Sequence, residues 1–129
     1  MINFFLSRAR AIGYALEGWW HVLRTQKNTW VHTLASLAVI SLGIWLQLSR
    51  QDWVIIILTI ALVWITEFIN TAIEGITDLV SPQRNHVAKV IKDVSAAAVL
   101  IAAGAAILVG LLILGPPLWQ KTQMLIAVL

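Results

Sequence analysis

The chain contains no cysteine, which excludes a disulfide framework and any thiolate metal site. It has no Gly-x-x-x-x-Gly-Lys-Ser/Thr run and no Gly-x-Gly-x-x-Gly run, which excludes a soluble phosphate-loop or dinucleotide-binding fold. Charge is also scarce. Only 12% of residues are Asp, Glu, Lys or Arg, against 60% hydrophobic, and mean hydropathy is +0.86. At 129 residues the chain is too short to hide so much apolar surface from water in its own core. These properties describe one integral membrane domain covering residues 1–129. The net charge of +3 reads as membrane topology rather than nucleic-acid binding, because the basic residues cluster in particular loops.

Three apolar stretches are present, at residues 30–48, 53–77 and 94–114, each near the ~20 residues that a spanning helix requires. Trp30 and Trp53 stand at the start of the first two and Trp119 follows the third, as interfacial aromatic anchors do. Small residues crowd the start of the third span (Ser95, Ala96, Ala97, Ala98, Ala102, Ala103, Gly104), which lets another helix approach closely. Gly115-Pro116-Pro117 ends it and leaves 115–129 as a tail. Residues 1–28 lack the order of a signal peptide. Ile12, Leu16, Trp19 and Leu23 share one helical face, and Glu17, His21 and Arg24 another, the pattern of an amphipathic helix lying in the interface. The fold class expected is therefore an all-α membrane protein with one surface helix and three spans.

Seven of the nine basic residues fall on one side of such a chain: Arg8, Arg10, Arg24 and Lys27 before the first span, and Arg84, Lys89 and Lys92 between the second and third. The positive-inside rule makes that side cytoplasmic. The protein is thus expected in the cell membrane, multi-pass, with a cytoplasmic amino terminus and the end of the second span facing the cytosol.

That end carries the chemistry. Glu67, Asn70, Glu74 and Asp78 are offset by three, four and four residues, so they share one helical face. A charge at membrane depth costs on the order of 3 kcal/mol or more unless it meets protein or water. A polar stripe in an apolar helix is therefore a candidate site. Ser81-Pro82 breaks the helix, and Lys89 and Lys92-Asp93 follow just before the third span. Carboxylates that hold a divalent cation or take a proton, an amide, and a lysine for phosphate are what phosphoryl transfer needs. His21 and His32 have no metal-ligand partner at useful spacing and His86 is alone in a loop, so all three read as structural or solvated.

Glu67-x-x-Asn70-Thr71-Ala72-Ile73-Glu74-x-x-x-Asp78 and Ala88-x-x-x-Lys92-Asp93-x-x-Ala96-x-Ala98-Val99-Leu100, with fourteen positions from Asp78 to Lys92, resemble the prokaryotic diacylglycerol kinase and undecaprenol kinase family. Gly13-Tyr14-Ala15-x-x-Gly18 and Arg24-Thr25-Gln26-Lys27-Asn28-x-x-x-His32 extend the resemblance over roughly residues 7–114. It implies a homotrimeric lipid kinase with active sites shared between subunits, transferring the γ-phosphoryl group of MgATP to the primary hydroxyl of a membrane lipid. The general assignment of that family favours diacylglycerol as the lipid, with undecaprenol as the alternative. By resemblance, Glu67 is the general base, Asn70 supports it, and Glu74 binds Mg²⁺. Lys92, Asp93, Tyr14, Gln83, Arg84 and Asn85 contact the nucleotide. Gln26 stands where the family commonly has a metal-binding glutamate, and Ser7, beside Arg8, where members carry an arginine. A more distant alternative is a small proton-coupled transporter, which would place its acid nearer the bilayer midplane; a pure assembly protein would leave the convergence of acids, amide and lysine without a purpose.

Overall fold

Residues 2–83 and 85–127 are described by the computed structural model. They form four helices and, among the described residues, no strand: α1 (Ile2–Thr25), α2 (Lys27–Leu46), α3 (Arg50–Val80) and α4 (His86–Ala127). α2, α3 and α4 are each long and apolar enough to cross a membrane, in line with the all-α, three-span expectation.

The joints follow local chemistry. α1 and α2 are separated by Gln26 alone, in extended backbone (φ −99°, ψ 116°), and its side chain caps neither helix. α2 ends at Gln47, which adopts φ 56° and ψ 50°. A residue with a Cβ adopts that left-handed geometry at a cost of ~1 kcal/mol, here offset because the Gln47 and Leu48 N–H groups donate to the carbonyls of Ile44 and Gly43 at 3.1 and 3.2 Å. Ser49 then caps α3, its Oγ accepting from the Asp52 N–H at 3.2 Å and donating to the Asp52 carboxylate at 2.6 Å, a reciprocal N-terminal cap. The reversal sets the Trp53 ring on Gly43, where an added Cβ would lie 3.1 Å from the ring.

Side-chain pairs fix the register. Trp64 Nε1 on α3 donates to Ser36 Oγ on α2 at 3.3 Å, and His32 lies beside Glu67. Ser95 on α4 meets Asn70 on α3, and Lys92 meets Asp78. Both pairings are antiparallel. α1 docks through its last turns only: Val22 is buried, and Trp19 stacks on Trp64 at 5.1 Å and lies 5.2 Å from Phe68. Ile12 and Leu16, placed on the same face by the sequence, remain exposed.

α4 does not stop at Leu114, where the Gly-Pro-Pro run predicts its end; it continues to Ala127 with Pro116 and Pro117 inside it. Two physical reasons account for the difference. Gly115 has no Cβ to clash with the ring of Pro116, so the helix passes through despite the lost donors. Beyond it, Lys121 Nζ donates to the Trp45 carbonyl at 2.6 Å and sits 4.5 Å over the Trp45 ring. That carbonyl is one of the unpaired groups at the end of α2, and a cation there also suits the helix dipole.

Among the described residues, only Val22, Leu46, Ile56, Val63, Val99, Ala102 and Leu114 form a buried apolar core, while many large apolar side chains face outward. This is the distribution expected of helices surrounded by lipid, where the backbone must be satisfied within each segment. Replacing Gly43 with Val should destabilise the α2–α3 hairpin by about 1–3 kcal/mol, the usual cost of overpacking. A detergent-unfolding titration of the purified protein checks it; an unchanged midpoint would mean that the Trp53 contact is not closely packed.

Candidate functional site

α3 runs for 31 residues, about 46 Å at the α-helical rise, against a hydrocarbon slab of ~30 Å. Counted from Trp53, an upright α3 leaves the slab about twenty residues later, near Ala72. Glu67 then lies inside the slab close to its far boundary, Glu74 at the boundary and Asp78 beyond it. Burial follows the same order: Glu67 is 1% exposed, Asn70 is buried, Glu74 is half-buried and Asp78 is exposed.

A cavity of about 270 Å³ opens beside this stripe, and Gln26, Asn28, His32, Glu67, Asn70 and Glu74 supply its polar lining. Its α4 wall is made of Ala96, Val99, Leu100 and Ala103, so the small residues at the start of that helix leave the space. Within it, Asn70 Nδ2 donates to Glu74 Oε1 at 3.2 Å, and Asn70 Oδ1 accepts from the Ser95 hydroxyl at 2.7 Å. Asn70 is thereby held from both helices and orients Glu74. The Glu67 backbone carbonyl accepts from Thr71 Oγ1 at 2.9 Å. Its carboxylate Oε2 has no hydrogen-bond partner, and His32 Nε2 lies 3.6 Å away, also without one. A buried carboxylate oxygen without a partner, on the wall of a cavity, calls for an explanation beyond helix packing.

A second cavity of about 730 Å³ lies further along, between the end of α3 and the start of α4, lined in part by Asp78, Asn85, Lys89, Lys92 and Asp93. Lys92 Nζ pairs with Asp78 at 2.5 Å, and Lys89 Nζ with Asp93 at 2.6 Å. Asn85 starts α4, accepting from the Ala88 N–H at 2.8 Å and donating to Ser81 Oγ at 2.7 Å.

The structure therefore brings Gln26, Glu67, Asn70 and Glu74 to one cavity and Asn85, Lys92 and Asp93 to the next. Gln83 is exposed in the connecting loop, and Tyr14 is exposed on α1, away from both. Arg84 falls outside the described residues. Lys92 offsets Asp78 rather than the two glutamates. Sequence reasoning missed two members. Ser95 counted there only as a small residue, and its hydroxyl is the link to Asn70. His32 read as structural or solvated, yet its Nε2 lies 3.6 Å from the free oxygen of Glu67; the spacing of residues around His32 in its own segment gave no sign of a partner on another helix.

No group of three or more His, Cys, Asp or Glu able to hold a metal occurs among the described residues. Glu74 and Gln26 nonetheless offer hard oxygen donors into one cavity, and neither side chain is consumed by capping. Two such donors suit a Mg²⁺ ion that keeps waters and takes its other ligands from phosphates.

Residues 13–114 match a family model described as prokaryotic diacylglycerol kinase. A diacylglycerol kinase of Synechocystis sp. is 42% identical over 106 residues, which is 81% of this chain and 61% of the relative. An undecaprenol kinase of Bacillus subtilis is 38% identical over 105 residues, 81% of this chain and 85% of the relative. A diacylglycerol kinase of Escherichia coli K12 is 29% identical over 100 residues, 72% of this chain and 76% of the relative. The chain thus spans 61% of the length of the Synechocystis protein.

Ser95→Ala removes the only donor that reaches Asn70 Oδ1 across the helix pair. It should cost about 0.5–2 kcal/mol, the range for interhelical hydrogen bonds in membranes, read from the same unfolding titration; no loss would mean that water replaces the hydroxyl.

Proposed function

The chain belongs to the prokaryotic diacylglycerol kinase family, and on that footing we propose that it is a membrane lipid kinase transferring the γ-phosphoryl group of ATP to a lipid primary hydroxyl. The observation that carries this reading is the convergence of Glu67, Asn70, Glu74 and Gln26 on one cavity at the membrane boundary, where a lipid headgroup and a soluble nucleotide can both arrive. Family membership removes the need for the proton-coupled exporter reading.

In this mechanism the lipid enters sideways and presents its hydroxyl to Glu67. The buried carboxylate takes the hydroxyl proton as the oxygen attacks the γ-phosphorus, a general-base contribution typically worth 10²–10⁴-fold, as an order of magnitude. Asn70, fixed by Ser95, holds Glu74 toward the phosphates. Glu74 and Gln26 would hold Mg²⁺, which when bound neutralises charge on the phosphates. Lys92 exchanges Asp78 for phosphate oxygens as nucleotide fills the second cavity, with Asp93 and Asn85 on its wall; by resemblance, Gln83 and Arg84 also contact the nucleotide. Apolar walls on the α4 side exclude water and so limit hydrolysis of ATP. Tyr14 reaches the nucleotide only if α1 or a neighbouring copy brings it in.

Three further elements complete the proposal. The distribution of basic residues supports a cytoplasmic amino terminus and site. The thin core and outward apolar faces of the single chain support assembly with further copies, which we take to be a homotrimer with sites shared between subunits. Diacylglycerol, giving phosphatidic acid, is the favoured substrate. Undecaprenol is the second reading, supported by the Bacillus subtilis relative.

The deciding experiment incubates purified protein in bilayers of total native lipid with Mg²⁺ and γ-labelled ATP, and identifies the labelled lipid by mass spectrometry. Phosphatidic acid fixes the first substrate and polyprenyl phosphate the second; no labelled lipid from assembled protein refutes the kinase. Glu67→Gln should lower turnover by about 10²-fold or more while assembly is retained, and near-normal activity would remove Glu67 as the base. Gln26→Glu should shift the Mg²⁺ titration of activity to lower concentration by adding a charged ligand; an unshifted titration would mean that position 26 is not a ligand.

A further inference from the structure

Glu67 poses a problem that its role as base does not solve. At 1% exposure it meets solvent only through the cavity it lines, which substrate would fill, yet a base that takes a proton in each cycle must lose it before the next. Phe68 and Trp64, on its own stretch of α3, form an aromatic cluster with Trp19 of α1, and the α4 wall of the cavity is apolar. Asn70 is occupied by Glu74 and Ser95. Among the described residues, the titratable side chain paired with the free oxygen of Glu67 is His32, on α2, at 3.6 Å, and its side chain is 13% exposed. Of the charged or titratable groups lining the cavity that both face, α3 contributes only Glu67 and Glu74; α4 contributes none, and the start of α2 adds neutral Gln26 and Asn28.

We infer that His32 is the proton outlet of Glu67: it takes from the carboxyl the proton that the lipid hydroxyl gives up and passes it to water at the cavity mouth. This rests on the reading of Glu67 as general base. The separation fits an acceptor waiting for a donor. At 3.6 Å the pair is too wide for a hydrogen bond, and both Glu67 Oε2 and His32 Nε2 lack any partner. With the imidazole proton on Nδ1, Nε2 is an open acceptor, and protonation of Glu67 supplies the missing donor. The balance is complete. The lipid O–H bond breaks and an oxygen–phosphorus bond forms as the bond from the γ-phosphorus to ADP breaks. The proton passes from Glu67 to His32 Nε2, the proton on Nδ1 leaves to solvent, and rotation of the ring restores the starting tautomer. An imidazole suits this duty because it gains and loses a proton readily near neutrality.

The test uses full-length protein in lipid vesicles with γ-labelled ATP, comparing His32→Ala, His32→Gln and Glu67→Gln. His32→Gln keeps a polar group of similar length but cannot carry a proton. Both His32 variants should lose about tenfold or more in kcat, with KM for ATP little changed. Added imidazole should restore much of the His32→Ala turnover, and pyrazole, of the same shape but feebly basic, should not. A purely structural role would be met equally by both heterocycles, or by neither. Near-normal kcat in His32→Gln, or rescue that pyrazole matches, or no rescue by imidazole in a His32→Ala protein that assembles normally, overturns the relay. Should Glu67→Gln be active, the base itself is misassigned; should it be inactive beside a fully active His32→Gln, the relay alone fails.

Discussion

A carboxylate inside an apolar helix is the constraint around which the molecule is arranged. An isolated charge there costs several kcal/mol, and Glu67 is 1% exposed, on the wall of a cavity. The surrounding chain answers with distinct devices at successive depths. His32 stands beside Glu67 itself, Asn70 and Ser95 bridge the helix pair one turn further on, and Lys92 meets Asp78 where the stripe leaves the membrane. Glu67, Asn70 and Asp78 are thus each met by a group from another helix, so the helices are registered by the same contacts that build the cavity. The two cavities differ in size and lining. One is narrow and walled by α4 aliphatics; the other is wider and ringed by charge.

The sequence made the spans legible because lipid imposes a simple code: long apolar runs, aromatic edges and one basic side. It also made the stripe legible, since spacings of three and four leave no doubt that Glu67, Asn70 and Glu74 share a face, and their hydrogen bonding agrees. Partners on other helices stayed hidden. Nothing in the spacing of His32 points to α3, and Ser95 among alanines reads as a small residue. Lys92 was legible as a cation near the acids, but not which acid it would choose. The proline pair at 116 and 117 misled for a related reason. Proline is a strong local signal for a helix end, and it is overridden here by a neighbouring glycine and by a lysine bond to a residue 76 positions away.

That lysine has a consequence for how the chain is made. The carbonyl of Trp45 is orphaned as soon as α2 is complete, and its partner arrives only when Lys121, near the other end of the chain, has been synthesised. Until then the reversal after α2 is held by Gln47, Ser49 and the ring of Trp53 alone. The last helix therefore acts as a latch on the first hairpin. A nascent chain inserted in the bilayer with α4 incomplete would carry an unpaired carbonyl and an uncovered indole at that corner.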